Sequence, residues 1–169
     1  RNILENKKLN FKESLFDEII DLTTDQLISG KIIGWFRGRA EFGPRALGNR
    51  SIIADPRDSN MQKKLNLKIK FREGFRPFAP AILEEEVQNY FDTCKQSPYM
   101  LLVSEIKNKY KKNLESKKKY SGFEKLSLER SIIPAVTHID YSSRLQTVSK
   151  EINKAFYELI KLFYKKTNC

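Results

Sequence analysis

Apolar residues recur along the chain first at helical and then at strand-like spacing. Residues 15–29 carry apolar side chains at mostly helical spacing and end at Gly30, which predicts one or two short amphipathic helices. Short β-branched and aromatic runs at 31–36 and 51–54 predict buried strands. The same patterns predict further helices over 58–69, 84–91 and 150–166, and a further strand over 99–106. Because helices and strands alternate without internal repeats, the sequence predicts an α/β fold.

Two of these helices have apolar faces that the spacing defines residue by residue. In the helix over 58–69, Met61, Leu65 and Ile69 are expected to share one face. The C-terminal helix is expected to bury Ile152, Phe156, Leu159, Ile160 and Phe163.

The composition is that of a folded protein. Of the 169 residues, 40% are hydrophobic and 31% are charged, and this length supports one domain with a hydrophobic core. No run approaches the roughly 18 consecutive apolar residues that a membrane span needs. The chain begins with Arg1 rather than Met and lacks an apolar signal region, so we expect a cytoplasmic piece of a longer protein.

Cysteine and histidine are too scarce for a disulfide framework or a structural zinc site. The two cysteines, Cys94 and Cys169, are typical of a reducing compartment. His138 is the single histidine and the chain contains no Cys-x-x-Cys spacing, so we expect no metal site in this chain.

The net charge of +11 comes from two segments. Residues 31–80 carry 12 Lys and Arg against 4 Asp and Glu. Residues 107–120 carry 7 Lys against one Glu and lack apolar periodicity, which predicts a flexible, lysine-rich surface loop. Clustered positive charge is also what nucleic-acid binding needs, so a basic RNA- or DNA-binding module is an alternative function.

The segment 38–50, GRAEFGPRALGNR, is the strongest candidate site. Its three glycines and one proline predict an ordered loop in which backbone N–H groups can approach a ligand. Arg39, Arg45 and Arg50 carry planar guanidinium groups suited to phosphate or carboxylate. The spacing matches neither the P-loop nor the dinucleotide-binding pattern. In the alternative interpretation, these arginines pair with Glu41, Asp55 and other carboxylates of the protein.

A second basic cluster, KIKFREGFRP at 68–77, contains Lys68, Lys70, Arg72 and Arg76. An extended chain would place the first three on one side, and a helix would bring Lys68 next to Arg72. If both clusters face one cleft, they suit a triphosphate or two phosphorylated ligands. A solvated basic surface is the alternative.

The single histidine lies in the run AVTHID, where Thr137 and Asp140 can orient or charge it. Arg144, Gln146 and Thr147 follow closely and can complete a polar wall. A histidine packed into the core is the alternative, and the sequence supports no Ser-His-Asp or Cys-His nucleophile.

Four stretches together resemble one known family: GWFRGRAEFGPRALGNRSIIADPRD, NLKIKFREGFRPFAPAILEEE, SPYMLL and IPAVTHIDYSSRLQTVS. They closely resemble the C-terminal region of the O-carbamoyltransferases, which include nodulation-factor and antibiotic-tailoring enzymes. The resemblance covers about residues 30–169 and leaves 1–29 as an N-terminal helical or linker segment. It implies a YrdC-like fold, a twisted mixed sheet flanked by helices. The family's following strand and loop of the LNTSFN…GEP type are missing, so we expect an incomplete C-terminal domain.

The resemblance implies an enzyme that acts as part of a longer protein. Carbamoyl phosphate and ATP, the latter with Mg²⁺, would form carbamoyl adenylate in this domain. A separate N-terminal actin/sugar-kinase-like domain, which carries an iron-type metal, would pass the carbamoyl group to an acceptor hydroxyl. The isolated chain is expected to be inactive, or to complete a site only when docked to its partner domain.

The resemblance also implies which residues bind phosphate and nucleotide, and it implies no nucleophile. The set is Arg39, Arg45, Arg50, Lys70, Arg72, Arg76, His138, Arg144, Gln146 and Thr147. The acceptor and the oligomeric state stay open, and no membrane is expected among the partners.

Overall fold

Helices and strands alternate along the chain, as the hydrophobic pattern predicts. The computed structural model describes residues 2–93, 95–112, 120–122, 125 and 128–169. Its α-helices are α1 (Asn2–Asn6), α2 (Phe16–Ile28), α3 (Met61–Leu65), α4 (Val87–Tyr90) and α5 (Lys154–Thr167). Its strands are β1 (Ile33–Phe36), β2 (Arg50–Ile53), β3 (Ala81–Leu83), β4 (Val103–Glu105), β5 (Ser142–Arg144) and β6 (Gln146–Val148). The predicted mixture of helices and strands is confirmed.

The six strands of the described residues pair two by two. Strands β1 and β2 form an antiparallel ribbon in which Gly34 pairs with Ile52 and Phe36 with Arg50. Strands β3 and β6 are parallel, and β4 and β5 are antiparallel. The parallel pair joins segments more than sixty residues apart, which places the 81–83 and 146–148 regions side by side.

The larger apolar core lies between α2, α5 and two of the strand pairs. Ile20 and Leu27 of α2 pack with Phe156, Leu159 and Phe163 of α5, together with Trp35, Leu83 and Val148. On the outer side of this contact, Lys166 Nζ lies 2.6 Å from Asp21 Oδ1 and 2.7 Å from Asp25 Oδ1. The core therefore fixes α5 behind the β1–β2 ribbon.

A second apolar cluster connects α4 with β4 and the 133–145 region. Its buried members include Val87, Tyr90, Phe91, Ile106 and Leu145. A smaller cluster contains Met61, Leu65 and Ala135, and Phe78 packs against both of them. The chain around Phe78 is thus held from two sides.

The predicted helix over 58–69 changes type half-way. Met61 and Leu65 are buried in α3, but a π-helical turn follows over Asn66–Lys70. Because a π-turn bonds residue i to i+5, it rotates the later residues away from the original face. Asn66 is fully buried and Ile69 is 41% exposed, so Ile69 does not share the buried face of Met61 and Leu65 as the spacing predicts.

The C-terminal helix begins later than predicted. Asn153 caps α5, its side-chain oxygen accepting a hydrogen bond of 3.1 Å from the backbone N–H of Phe156. Ile152 therefore precedes the helix and is 69% exposed, so the prediction that it is buried is wrong. The other predicted members of this face pack in the core or against it.

The lysine-rich segment predicted as a flexible loop falls mainly outside the described residues, since 113–119 are not among them. Residues Asn108–Tyr110 form a 3-10 turn, and the Tyr110 ring stacks on Tyr90 at 4.9 Å. Cys94 also lies outside the described residues. None of the described helices is both long and apolar enough to cross a membrane.

Candidate functional site

The 38–50 loop is organised around a carboxylate of its own. Glu41 Oε1 accepts backbone N–H hydrogen bonds from Leu47 at 2.7 Å, Asn49 at 2.8 Å and Arg50 at 3.3 Å. Burial by itself raises the pKa of Glu41, but these backbone donors outweigh it and hold the pKa below its ordinary value. Three of the backbone N–H groups that this glycine-rich loop offers to a ligand are thus engaged internally.

Arg50 has a different environment from the other two arginines of the loop. Its guanidinium donates to the carbonyls of Arg37 at 2.8 Å, Asn49 at 2.9 Å and Gly38 at 2.9 Å. It also lies 3.4 Å from the centre of the Phe36 ring. Arg50 therefore fastens the two ends of the loop together.

The loop is also fastened to the core from behind. Gly48 packs directly against Phe156 of α5, with φ of +101°. Gln146 Nε2 donates to the carbonyl of Leu47 at 2.7 Å, and Asn153 Nδ2 donates to Asn49 Oδ1 at 2.9 Å. These contacts join the loop to β6 and α5, which are about a hundred residues later in the chain.

Arg39 and Arg45 project from this fixed loop into solvent. Both side chains are exposed. Neither forms an ion pair or side-chain hydrogen bond within the part of the chain that the structure describes. The alternative in which these arginines pair with nearby carboxylates is therefore wrong. Asp55, one of those carboxylates, pairs with Arg57 instead, at 2.6 Å.

The second basic cluster is shaped by a buried amide. Asn66 Nδ2 donates to the carbonyls of Gly74 at 3.2 Å and Arg76 at 2.9 Å. Arg72 turns back so that its Nε donates to Asn66 Oδ1 at 2.7 Å, and its guanidinium lies 5.0 Å from the Phe78 ring centre.

The other cations of this cluster are on the surface. Arg76 pairs with Glu73 at 2.9 Å. Lys68 and Lys70 are exposed on the π-helical turn, so the segment that contains them is not extended. The chain then reverses at Phe71, which has a left-handed backbone with φ of +48°, and this turn separates Arg72 from the two lysines.

His138 lies in a small polar network. Its backbone N–H donates to the Ser142 carbonyl at 2.9 Å, and Ser142 Oγ lies 3.4 Å from His138 Nδ1 and donates to Asp140 Oδ1 at 2.6 Å. Burial lowers the pKa of His138, Asp140 opposes that shift, and the charge of Arg144 lowers the pKa further. The imidazole is therefore mainly neutral at pH 7.

The structure brings two of the predicted segments to one cleft of about 340 Å³. Phe75 and Pro77, from the second basic cluster, line one part of it, and His138 and Asp140 line another. Arg130, which is buried, also borders the cleft.

Gln146 and Thr147 are buried rather than exposed in a polar wall, with exposed fractions of 4% and 3%. Gln146 holds the 38–50 loop, as described above. Thr147 Oγ1 accepts a hydrogen bond of 2.9 Å from the backbone N–H of Ser97.

The sequence pattern does not indicate that Glu41, Asn153 and Gly48 determine the conformation of the 38–50 loop. A carboxylate inside a glycine-rich basic loop is the one local signal that could have pointed to Glu41.

The described residues offer no cluster of side chains that could bind a metal ion. Across the described ranges, no group of three or more His, Cys, Asp or Glu side chains is placed to hold a metal ion. The iron-type metal that the resemblance implies for the separate N-terminal domain therefore has no fitting site among these residues.

Comparison with known protein families identifies the family of this chain. A family model described as "Carbamoyltransferase C-terminus" matches residues 24–169. The chain belongs to this family. The family predicted from the 38–50 loop and the three later motifs is thereby confirmed.

Several curated relatives match this carbamoyltransferase domain. An uncharacterized protein of Synechocystis is 48% identical over 93% of this chain. Nodulation protein NolNO of Sinorhizobium fredii is 42% identical over 89% of the chain, and a 3'-hydroxymethylcephem-O-carbamoyltransferase of Streptomyces clavuligerus is 34% identical over 81%. The matched region covers 25%, 20% and 22% of those proteins, respectively. The chain thus spans about a quarter or less of these three relatives.

We expect Glu41→Gln to destabilise the protein by about 1–2 kcal/mol, because a neutral amide is a weaker acceptor for three backbone N–H groups. Since the folded-state pKa of Glu41 is depressed, its contribution is complete above the ordinary value of 4.5 and disappears as pH falls through the folded value. Urea unfolding of both proteins, at pH 7 and well below pH 4.5, measures this.

Glu151→Gln is the matched control, because Glu151 is exposed and has no hydrogen bond among the described residues. It should leave the free energy of unfolding within about 0.5 kcal/mol of wild type. An equal loss in both variants, or a Glu41→Gln difference that persists at low pH, would contradict the role given to Glu41.

Proposed function

We propose that this carbamoyltransferase domain binds ATP–Mg²⁺ and carbamoyl phosphate and forms carbamoyl adenylate, which a separate domain of the same protein uses to carbamoylate an acceptor hydroxyl. The family supports the transferase class. The Streptomyces relative is named as an O-carbamoyltransferase, which supports a hydroxyl acceptor. We further propose a YrdC-like domain fold and a cytoplasmic setting.

The observation that carries the proposal is a pair of arginines, Arg39 and Arg45, that have no ion pair among the described residues. Both side chains are exposed, while Glu41, Arg50, Gly48 and the Gln146 side chain hold the backbone between and behind them. A guanidinium that no carboxylate neutralises binds a phosphate without first breaking an internal ion pair.

The mechanism that we propose is electrostatic. Formation of carbamoyl adenylate breaks the bond between the α- and β-phosphates of ATP and releases pyrophosphate. Before that step, water hydrolyses carbamoyl phosphate to carbamate and inorganic phosphate, and an oxygen of the carbamate then forms the new bond to the α-phosphorus. Negative charge accumulates on both leaving groups, so arginines carried on a fixed backbone lower the barrier by neutralising that charge.

The predicted site residues take different parts in this proposal. Arg39 and Arg45 contact phosphate groups, and Arg50 and Gln146 position the loop that carries them. Arg144 and His138 belong to the polar network with Asp140 and Ser142, and Lys70, Arg72 and Arg76 add positive charge to the protein. Thr147 supports the backbone beside Ser97.

Calorimetric titration tests whether this chain itself holds the site. We expect saturable binding of ATP–Mg²⁺, and of carbamoyl phosphate, to the 169-residue chain. Sulfate at equal ionic strength is the control for unspecific attraction to a basic protein. A folded chain, verified by circular dichroism, that binds neither ligand would overturn the proposal that these residues are sufficient.

A further inference from the structure

The outer face of the β1–β2 ribbon carries exposed apolar side chains. We define this ribbon face by Gly34, Phe36, Arg50 and Ile52, which the antiparallel register places on one side. Phe36 is 77% exposed and Ile52 is 41% exposed, whereas Trp35 on the opposite face is buried in the core. The ribbon therefore leaves an aromatic surface uncovered beside the 38–50 loop.

Gly34 has no structural reason to be glycine among the described residues. It lies inside a strand, where glycine costs stability, and its φ is not in the left-handed region. A Cβ built at this position would meet no atom within 4 Å. A glycine in such a place is typical of a strand that another molecule approaches closely.

Phe36 is exposed but not free to move. The Arg50 guanidinium lies 3.4 Å from the ring centre, and three carbonyl hydrogen bonds of 2.8–2.9 Å hold that guanidinium in turn. The ring is therefore fixed before any ligand arrives, and ordering it on binding costs little conformational entropy. Phe42, which is more exposed, has no such support.

We propose that the base of the nucleotide stacks on the ribbon face, against Phe36 and over Gly34. This inference rests on the proposed function, because it concerns the ATP whose phosphates Arg39 and Arg45 contact. An aromatic ring provides a stacking surface for any nucleobase, and a neighbouring arginine strengthens it.

The spacing along the chain suits a single nucleotide. Phe36 and Arg39 are three residues apart, so their Cα atoms are separated by at most about 11 Å. A nucleoside triphosphate spans that distance with its base at one end and its phosphates at the other.

Gly34→Val provides the sharpest test, because it separates folding from binding. A β-branched residue in an open strand position should leave stability unchanged or raise it, while filling the space over Gly34. We expect ATP–Mg²⁺ affinity to fall about 5- to 150-fold, the range measured for loss of one base-stacking contact. Affinity for inorganic tripolyphosphate, which has no base, should not change.

Phe36→Leu is the second variant and should show the same selective loss of ATP affinity. Ile3→Ala is the control, since Ile3 is 74% exposed and lies outside the ribbon face. If either ribbon variant binds ATP as wild type does, or loses ATP and tripolyphosphate equally, the stacking proposal is overturned. If the wild-type chain binds neither compound, the proposed function fails first, and the two failures are thus distinguishable.

Discussion

Gly48→Ala should lower the free energy of unfolding by about 2–5 kcal/mol and the Tm by about 4–20 °C. A Cβ on Gly48 would lie 2.3 Å from Phe156 Cδ1, and the backbone φ of +101° is unfavourable for any other residue. Because Phe156 belongs to the core between α2 and α5, neither side of this contact can move cheaply. The displaced loop should also bind ATP–Mg²⁺ more weakly. Thermal unfolding and calorimetry measure both effects.

Gly43→Ala is the matched control for this prediction. Gly43 has φ of +132° in the same loop, but a Cβ there would meet nothing within 4 Å. The Gly43→Ala substitution should lower the free energy of unfolding only through backbone strain, by about 1–3 kcal/mol. Adding Phe156→Leu to Gly48→Ala should destabilise less than the sum of the two single changes, because the clash is removed. Equal losses in the two glycine variants would show that the contact with Phe156 is unimportant.

Arg45→Ala should reduce the affinity for ATP–Mg²⁺ by about 10- to 150-fold, the loss expected for a hydrogen bond between charged groups. Stability should hardly change, because Arg45 is exposed and unpaired among the described residues. The affinity of Arg45→Lys for ATP–Mg²⁺ should lie between those of the wild type and Arg45→Ala, since an ammonium group keeps the charge but not the bidentate geometry. Titration calorimetry at two salt concentrations measures these affinities.

Lys63→Ala changes the net charge by the same amount and is the control. Lys63 is an exposed cation of α3 with no ion pair in the described part of the chain. Its removal should weaken ATP binding only slightly and only at low salt. If Arg45→Ala and Lys63→Ala have equal effects, Arg45 acts as part of the general positive charge and not as a phosphate ligand.

The three arginines of the 38–50 loop show why the site was only partly predictable. In the sequence they are equivalent, each one in a glycine-rich basic segment. The strand register places Arg50 opposite Phe36 and turns its guanidinium toward the carbonyls of the loop. Arg39 and Arg45 lie outside that pairing and stay in solvent, so their availability depends on a register that local spacing does not encode.

The π-helical turn after α3 shows that local spacing is also insufficient to predict which residues of a helix are buried. The spacing of Met61, Leu65 and Ile69 is regular, but only the first two are buried. The buried Asn66 instead bonds with the backbone at Gly74 and Arg76, which the periodicity of apolar residues cannot reveal. A single polar contact of this kind changes which residues of a helix face the core.

Local sequence patterns are enough to predict the family, the mixed α/β class, the approximate positions of α2, α5, β1 and β2, and the loop between these two strands. Each depends on local periodicity or on a contiguous motif, and those are properties of neighbouring residues. The folded structure is needed to show that β1 and β2 pair, that Glu41 accepts hydrogen bonds from the loop backbone, that Gln146 and Phe156 hold the loop from behind, and that Phe36 contacts Arg50 yet is exposed. These features join residues distant in sequence or depend on strand register, and the chain encodes them only through the packing of the whole fold.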